Sequence, residues 1–209
     1  MSASFTMNLE ILALEIAVTH IGMMTDSNAY FDTSVELEIS DEAAFINNIK
    51  NGWITVSMLC NYVESIINTI LRDCVNCDSD GLLKSSISDK LDILYLYYKA
   101  DISVLKKEHY WETFKKLTRI RNELTHYKRN HIGAMGYGYG VPLSWRKPFE
   151  DIDDYFTQSK MNKVKNEILQ FCNNFVRDLG LVISPQARLF DDMEDAVPFV
   201  YKPSDYDEL

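Results

Sequence analysis

The stretch "SKMNKVKNEILQFCNNFVRDLG" (159–180) sets the fold class. Met161, Val164, Ile168, Cys172, Phe175 and Leu179 recur at spacings of three and four residues, which puts them on one face of an α-helix. Ser159 suits its N-cap and Gly180 its C-terminal cap. The same period runs through most of the chain. Phe45, Ile49, Trp53, Val56, Leu59, Val63, Ile66 and Ile70 predict one long helix from about residue 41 to 73, with Ser40 and Asp41 able to cap its start. Gly52 lies inside it and marks a bend or an interruption. Ile87, Leu91, Leu94 and Tyr98 predict a helix over 86–99, and another is expected over 103–127. Leu9, Leu12 and Ile16 predict a first helix.

Two segments break the pattern. "SVELEI" (34–39) alternates like a short strand, and "GAMGYGYGVPLSWRKPFEDIDD" (133–154) reads as a loop. The loop does not fit a G-x-G-x-x-G phosphate cradle, because Val141 stands where the third glycine belongs. The expectation is an all-α, up-and-down bundle of four to five helices. A helix and extended segment over 1–40 pack on a helical domain at 41–180, and an irregular acidic tail occupies 181–209.

The 209 residues carry a formal charge of −10, against a broad nucleic-acid coat but not against a local basic site. Residues 115–131 hold six Lys and Arg against one acid, and residues 189–209 hold seven acids against one Lys. A tail of this charge is expected to limit access to the basic segment. Cys74 and Cys77 form a lone C-x-x-C with no second pair, so no metal site is expected, and the four cysteines are read as reduced. The apolar N-terminal stretch carries Glu10, Glu15 and His20 and has no basic region before it. A soluble, cytoplasmic protein without membrane attachment or cofactor is expected.

The cations concentrate in "RIRNELTHYKRNH" (119–131). Leu117, Ile120, Leu124 and Tyr127 form the apolar stripe there, and His126 lies about 140° away from it. Asn122 is one turn before His126 on the same face. Arg121 is about 140° from His126 on the wheel, so the two meet only by a curled side chain or across two copies of the chain. Arginine offers forked donors to a phosphodiester and to the charge developing as it is cleaved. Histidine can take a proton from a 2′-hydroxyl or give one to a leaving oxygen. RNA supplies its own nucleophile, so this route needs no metal and yields a 2′,3′-cyclic phosphate and a 5′-hydroxyl.

"RNELTH" (121–126) in a late helix resembles the HEPN superfamily, whose motif is Arg, a polar residue, and His after four to six intervening residues. Arg121, Asn122 and His126 fill those places. "SMLCNYVESIINTIL" (57–71) resembles the HEPN helix that turns a polar residue to the site, with Glu64 as the best match, and "SDKLDILY" (88–95) resembles the next helix. The similarity covers roughly 43–179. It implies a homodimeric helical bundle with both Arg–His sets lining a composite cleft, RNA as substrate, and a toxin or antiphage role. An antitoxin or other regulatory protein is a further partner in some members. Glu64, Arg121, Asn122 and His126 would be the catalytic set, with Arg119, Lys128, Arg129 and His131 as flanking RNA contacts. Tyr127 directly follows His126, and Lys128 stands where the antitoxin-paired subgroup has tyrosine. Other members are non-catalytic interaction or nucleic-acid-binding modules, and that alternative stays open.

Overall fold

Strand β1 (Phe5–Met7) leads into helix α1 (Leu9–Gly22), and the central helix α2 (Ile39–Thr69) continues through a π turn, Ile70–Cys74. Helices α3 (Asp80–Leu83), α4 (Ile87–Tyr97), α5 (Ile102–Lys107), α6 (His109–Thr125) and α7 (Gln158–Asp178) follow. Strands β2 (Val182–Ile183), β3 (Phe190–Asp192) and β4 (Val200–Tyr201) and a 3₁₀ turn (Pro203–Asp205) come last. The computed structural model describes residues 5–26, 39–77, 79–125, 156–187, 190–192 and 198–205. The expected extended stretch at 34–38, the Gly/Pro loop at 133–154, and His126, Lys128, Arg129 and His131 lie outside them. Ile39, expected to end the extended stretch, is already helical.

The described residues are mostly helical, an all-α body. α2 is its axis: α1, α4, α6 and α7 all pack against it. Val56, Leu59, Cys60, Val63, Ile66, Ile67, Ile70 and Leu71 are buried along one broad face of it. One helical stretch, Asn47–Cys74, is long and apolar enough to cross a bilayer, yet it lies mostly buried. A long helix with a broad buried apolar face is also what the core of a bundle requires.

α7 follows its predicted stripe, with Met161, Val164, Ile168, Cys172, Phe175 and Leu179 all buried. Its start differs. Thr157 is the N-cap, and Ser159 gives its amide and hydroxyl to the Asp26 carboxylate at 2.7 and 2.6 Å. At the other end Gly180 adopts φ 71° and closes the helix through Gly180 N–H to Arg177 O and Leu181 N–H to Val176 O.

The helix expected over 103–127 is two. Glu108 is extended (φ −80°, ψ 147°) and separates α5 from α6. The break frees α6 to lay Tyr110, Trp111 and Phe114 on α7, where Phe114 stacks on Phe171 with centroids 4.6 Å apart. The first helix stands where Leu9, Leu12 and Ile16 suggested it; its buried face is Glu10, Ala13, Ala17 and Ile21, and Leu9 is 55% exposed. Small alanines let α1 approach α2 closely. Trp53, placed on the buried stripe by spacing, is 46% exposed.

α2 is unbroken at Gly52, which serves contact instead of bending. A Cβ there would collide with the Phe156 ring, so only glycine lets the residues entering α7 seat on α2. Polar ties fix the same end. The Asn48 carboxamide exchanges hydrogen bonds with the backbone of Thr25, Asn47 donates to Met23 O, and the His20 ring meets Asn51 Oδ1 at 2.7 Å.

The C-terminal segment is not wholly irregular. β1 pairs antiparallel with β3 (Thr6 opposite Asp191), and β2 with β4 (Ile183 opposite Val200). Phe199 and Val200 join the core. Two of the tail's acids therefore lie in a strand beside the N-terminus.

Gly52→Ala is expected to lower stability by about 1–2 kcal/mol, overpacking outweighing the roughly 1 kcal/mol gain in helix propensity. Adding Phe156→Leu should recover part of the loss in urea denaturation. Removing residues 198–209 should destabilise by about 3 kcal/mol or more, since two buried apolar side chains leave the core. A truncated chain melting at the parent temperature would show that β4 is dispensable.

Candidate functional site

Cys60, Glu64 and Asn68 occupy successive turns of α2, one above the other. Thr118, Arg121 and Asn122 occupy the facing part of α6, and Lys90 comes from α4. The spacing that buries Ile120 and Leu117 leaves Arg121 at the edge of the α2–α6 contact, with 25% of its side chain exposed.

Glu64 is the hinge of the cluster. Its Oε1 accepts from Lys90 Nζ at 2.8 Å, and its Oε2 lies 3.9 Å from an Arg121 guanidinium nitrogen. Lys90 Nζ also donates to Asn68 Oδ1 at 3.0 Å. The Lys90 side chain is 0% exposed and Glu64 30%. Arg121 Nε donates to Asn122 Oδ1 at 3.1 Å, which orients the guanidinium along α6. A buried ammonium is tolerated only when an anion and hydrogen-bond acceptors surround it, and Glu64 and Asn68 supply both.

Beneath this group the Cys60 thiol meets the Thr118 hydroxyl. Burial pushes that thiol up to about 12, against the opposing pull of the Arg121 charge. Cys60 is therefore a neutral packing residue and no nucleophile. All four cysteines are free thiols, and burial also raises Cys172 well above its ordinary value. On its other side Glu64 borders a groove of about 340 Å³ between α1 and α2, walled by Leu9, Leu12 and Ile16 opposite Asn61, Ser65 and Asn68.

Of the residues singled out in the sequence, Glu64, Arg121 and Asn122 come together from two helices. Arg119 is exposed on α6, two residues before Arg121. His126, Lys128, Arg129 and His131 are outside the described residues. Lys90 and Asn68 were not foreseen. The spacing held a signal for Lys90, which falls three residues after Ile87 and four before Leu94, inside the buried stripe of α4. A charge at such a position needs a partner. Among the described residues no His, Cys, Asp or Glu cluster could hold a metal ion.

No family model matches the chain, and neither a curated protein nor a solved structure matches it significantly.

The two ends of the Lys90–Glu64 pair should respond unequally to mutation. Glu64→Ala strands a buried ammonium and is expected to destabilise by about 3 kcal/mol, the lower end for a broken buried pair because Asn68 still accepts. Lys90→Met puts an apolar chain of similar length into an apolar stripe and should lose about 1 kcal/mol or less. Equal losses in chemical denaturation would mean that Lys90 is not the member that burial constrains.

Proposed function

We propose that this chain is a metal-independent endoribonuclease of the HEPN type, acting as a homodimer in a toxin or antiphage role. The observation that carries the proposal is the approach of Arg121 on α6 to Glu64 on α2, with Asn122 holding the guanidinium. Three residues of one sequence motif set thus share one partly exposed place, and Arg121 is the cation nearest solvent in it.

In this reading Arg121 binds the scissile phosphate and stabilises the charge that builds on its oxygens. His126 of one copy takes the 2′-hydroxyl proton as that oxygen attacks phosphorus. The bond from phosphorus to the 5′-oxygen breaks, and His126 of the second copy protonates the leaving oxygen. Asn122 and Glu64 keep Arg121 in position. Arg119, Lys128, Arg129 and His131 contribute phosphate contacts along the strand.

A second reading, a non-catalytic interaction or nucleic-acid-binding module, is favoured by one observation. Both oxygens of Glu64 face protein cations, as in a purely structural ion-pair network. The two readings separate on activity.

Purified protein is expected to cut total RNA or tRNA in the presence of EDTA, leaving 2′,3′-cyclic phosphate ends. His126→Ala should slow the reaction by about 10²–10⁴-fold and Arg121→Ala by about 10²–10³-fold. Cleavage that depends on a divalent ion, or two variants that cut like the parent, would defeat the mechanism. RNA binding without cleavage by the parent would favour the module.

A further inference from the structure

We propose that the groove between α1 and α2 is a nucleobase pocket that selects guanine beside the scissile phosphate. The proposal rests on the reading of the chain as an RNA-cleaving protein and adds the base that it reads.

The groove has the size and lining of a small-ligand site. Its volume of about 340 Å³ lies at the lower end of the usual range of about 300–1,000 Å³. A helix is about 10–12 Å across, so less than one turn of a partner helix would fit within that volume. Leu9, Leu12 and Ile16 of α1 form an aliphatic side, and Asn61, Glu64 and Asn68 of α2 stand on the other. Single-stranded RNA is read by sites of this kind, which cover the flat face of a base and hydrogen-bond its edge.

Lys90 fixes the polar side of the groove. An ammonium only donates, so the Asn68 carboxamide must turn Oδ1 to Lys90 Nζ, 3.0 Å away. Asn68 Nδ2 is then a donor turned away from Lys90, and it has no hydrogen-bond partner among the described residues. Lys90 holds Glu64 Oε1 in the same way, at 2.8 Å. Glu64 Oε2 lies 3.9 Å from Arg121, longer than a hydrogen bond, so its lone pairs are open to a further donor. Glu64 and Asn68 are one turn apart on α2 and are bridged by a side chain of 0% exposure. An acceptor and a donor thus stand side by side, and neither is free to turn over.

Guanine matches this pair. Its Watson–Crick edge carries the 6-oxo acceptor next to two donors, N1–H and the 2-amino group. The oxo group accepts from Asn68 Nδ2, and the two donors meet the Glu64 carboxylate in charge-assisted bonds. Adenine reverses the pattern: its 6-amino group would face the Asn68 donor, and its N1 lone pair would face the carboxylate. Hypoxanthine keeps the oxo group and N1–H but lacks the 2-amino donor. Glu64 borders the groove on one side and Arg121 on the other, so base pocket and phosphate site adjoin through one side chain.

The test uses the full chain and fluorescein-labelled heptamers of 2′-O-methyl adenosine, which lack the attacking hydroxyl and are not consumed. The fourth position is guanosine, inosine or adenosine. Fluorescence anisotropy should show the guanosine heptamer bound about tenfold tighter than the adenosine one, with inosine between them. Glu64→Gln keeps an acceptor for Lys90 but turns an amide nitrogen to the base, and should erase the gap between guanosine and inosine. Leu12→Trp places an indole in the groove and should erase every base preference. Equal affinity of the parent for the three heptamers would overturn the proposal, and so would a guanosine–inosine gap that survives in Glu64→Gln. If neither variant folds, the ranking by the parent decides, because those changes are made in the ligand. Loss of a dimer in Leu12→Trp, with no base preference in the parent, would make the groove a protein interface and reject the pocket. Unmodified RNAs of the same sequences separate this proposal from the reading beneath it. Cleavage beside guanosine supports both. Guanosine bound first but never cut keeps the pocket and rejects the ribonuclease. Cleavage indifferent to the base keeps the ribonuclease and rejects the pocket.

Discussion

A helix that four others pack against has little surface left for water, and every polar group it carries must be met by a neighbour. α2 is under that constraint along most of its length. The Asn47 and Asn48 carboxamides bind the segment after α1, Asn51 meets His20 in the last turn of α1, Thr69 donates to the buried Glu10 carboxylate of α1, and Glu64 and Asn68 meet Lys90 of α4. Each bond fixes the height of one helix along α2, which apolar contact alone leaves open to sliding. Thr55 is an exception; its buried hydroxyl has no hydrogen-bond partner among the described residues. It sits three residues beyond Gly52, where Phe156 presses closest on α2.

The candidate site grows from the same constraint. Glu64 is half-buried because α2 is the axis of the body, and Lys90 is buried because α4 lies against that axis. The cluster needs no loop to hold it. Its charged atoms stand on three helices whose apolar faces are locked in the core, and such elements hold geometry better than loops do. Burial keeps the Cys60 thiol neutral, so it adds no charge beside Glu64 and Arg121.

How much of this the sequence disclosed varied with the element. α7 was legible because its six large apolar residues keep one period from end to end, and every one is buried. α2 was legible from the same period, and Val56, Leu59, Val63, Ile66 and Ile70 are buried, whereas Trp53 follows the period yet faces outward. The division of α5 from α6 was hidden, since Glu108 is neither glycine nor proline and its extended conformation answers to the packing of Trp111 and Phe114 on Phe171. The helix α1 was legible but its buried face was not, because alanines carry little hydrophobic signal, although their size is what close approach requires. β2, β3 and β4 span two or three residues each, too short for alternation to show. At the site, Glu64, Arg121 and Asn122 were found by resemblance to a motif. Lys90 was overlooked because lysine is read as surface by default.

The pairing of β1 with β3 has a bearing on how the chain is made. β1 precedes the seven described α-helices, and β3 follows them. A chain synthesised from its N-terminus exposes Phe5–Met7 before these helices and offers its strand partner only after they have emerged. During that interval α1 is held chiefly by α2, which follows it directly. The β1–β3 ladder is thus a contact of very large sequence separation, the kind that forms late. The wall of the groove that borders Glu64 is therefore secured at its outer end only after α7 has emerged, so maturation of that wall is timed by translation itself.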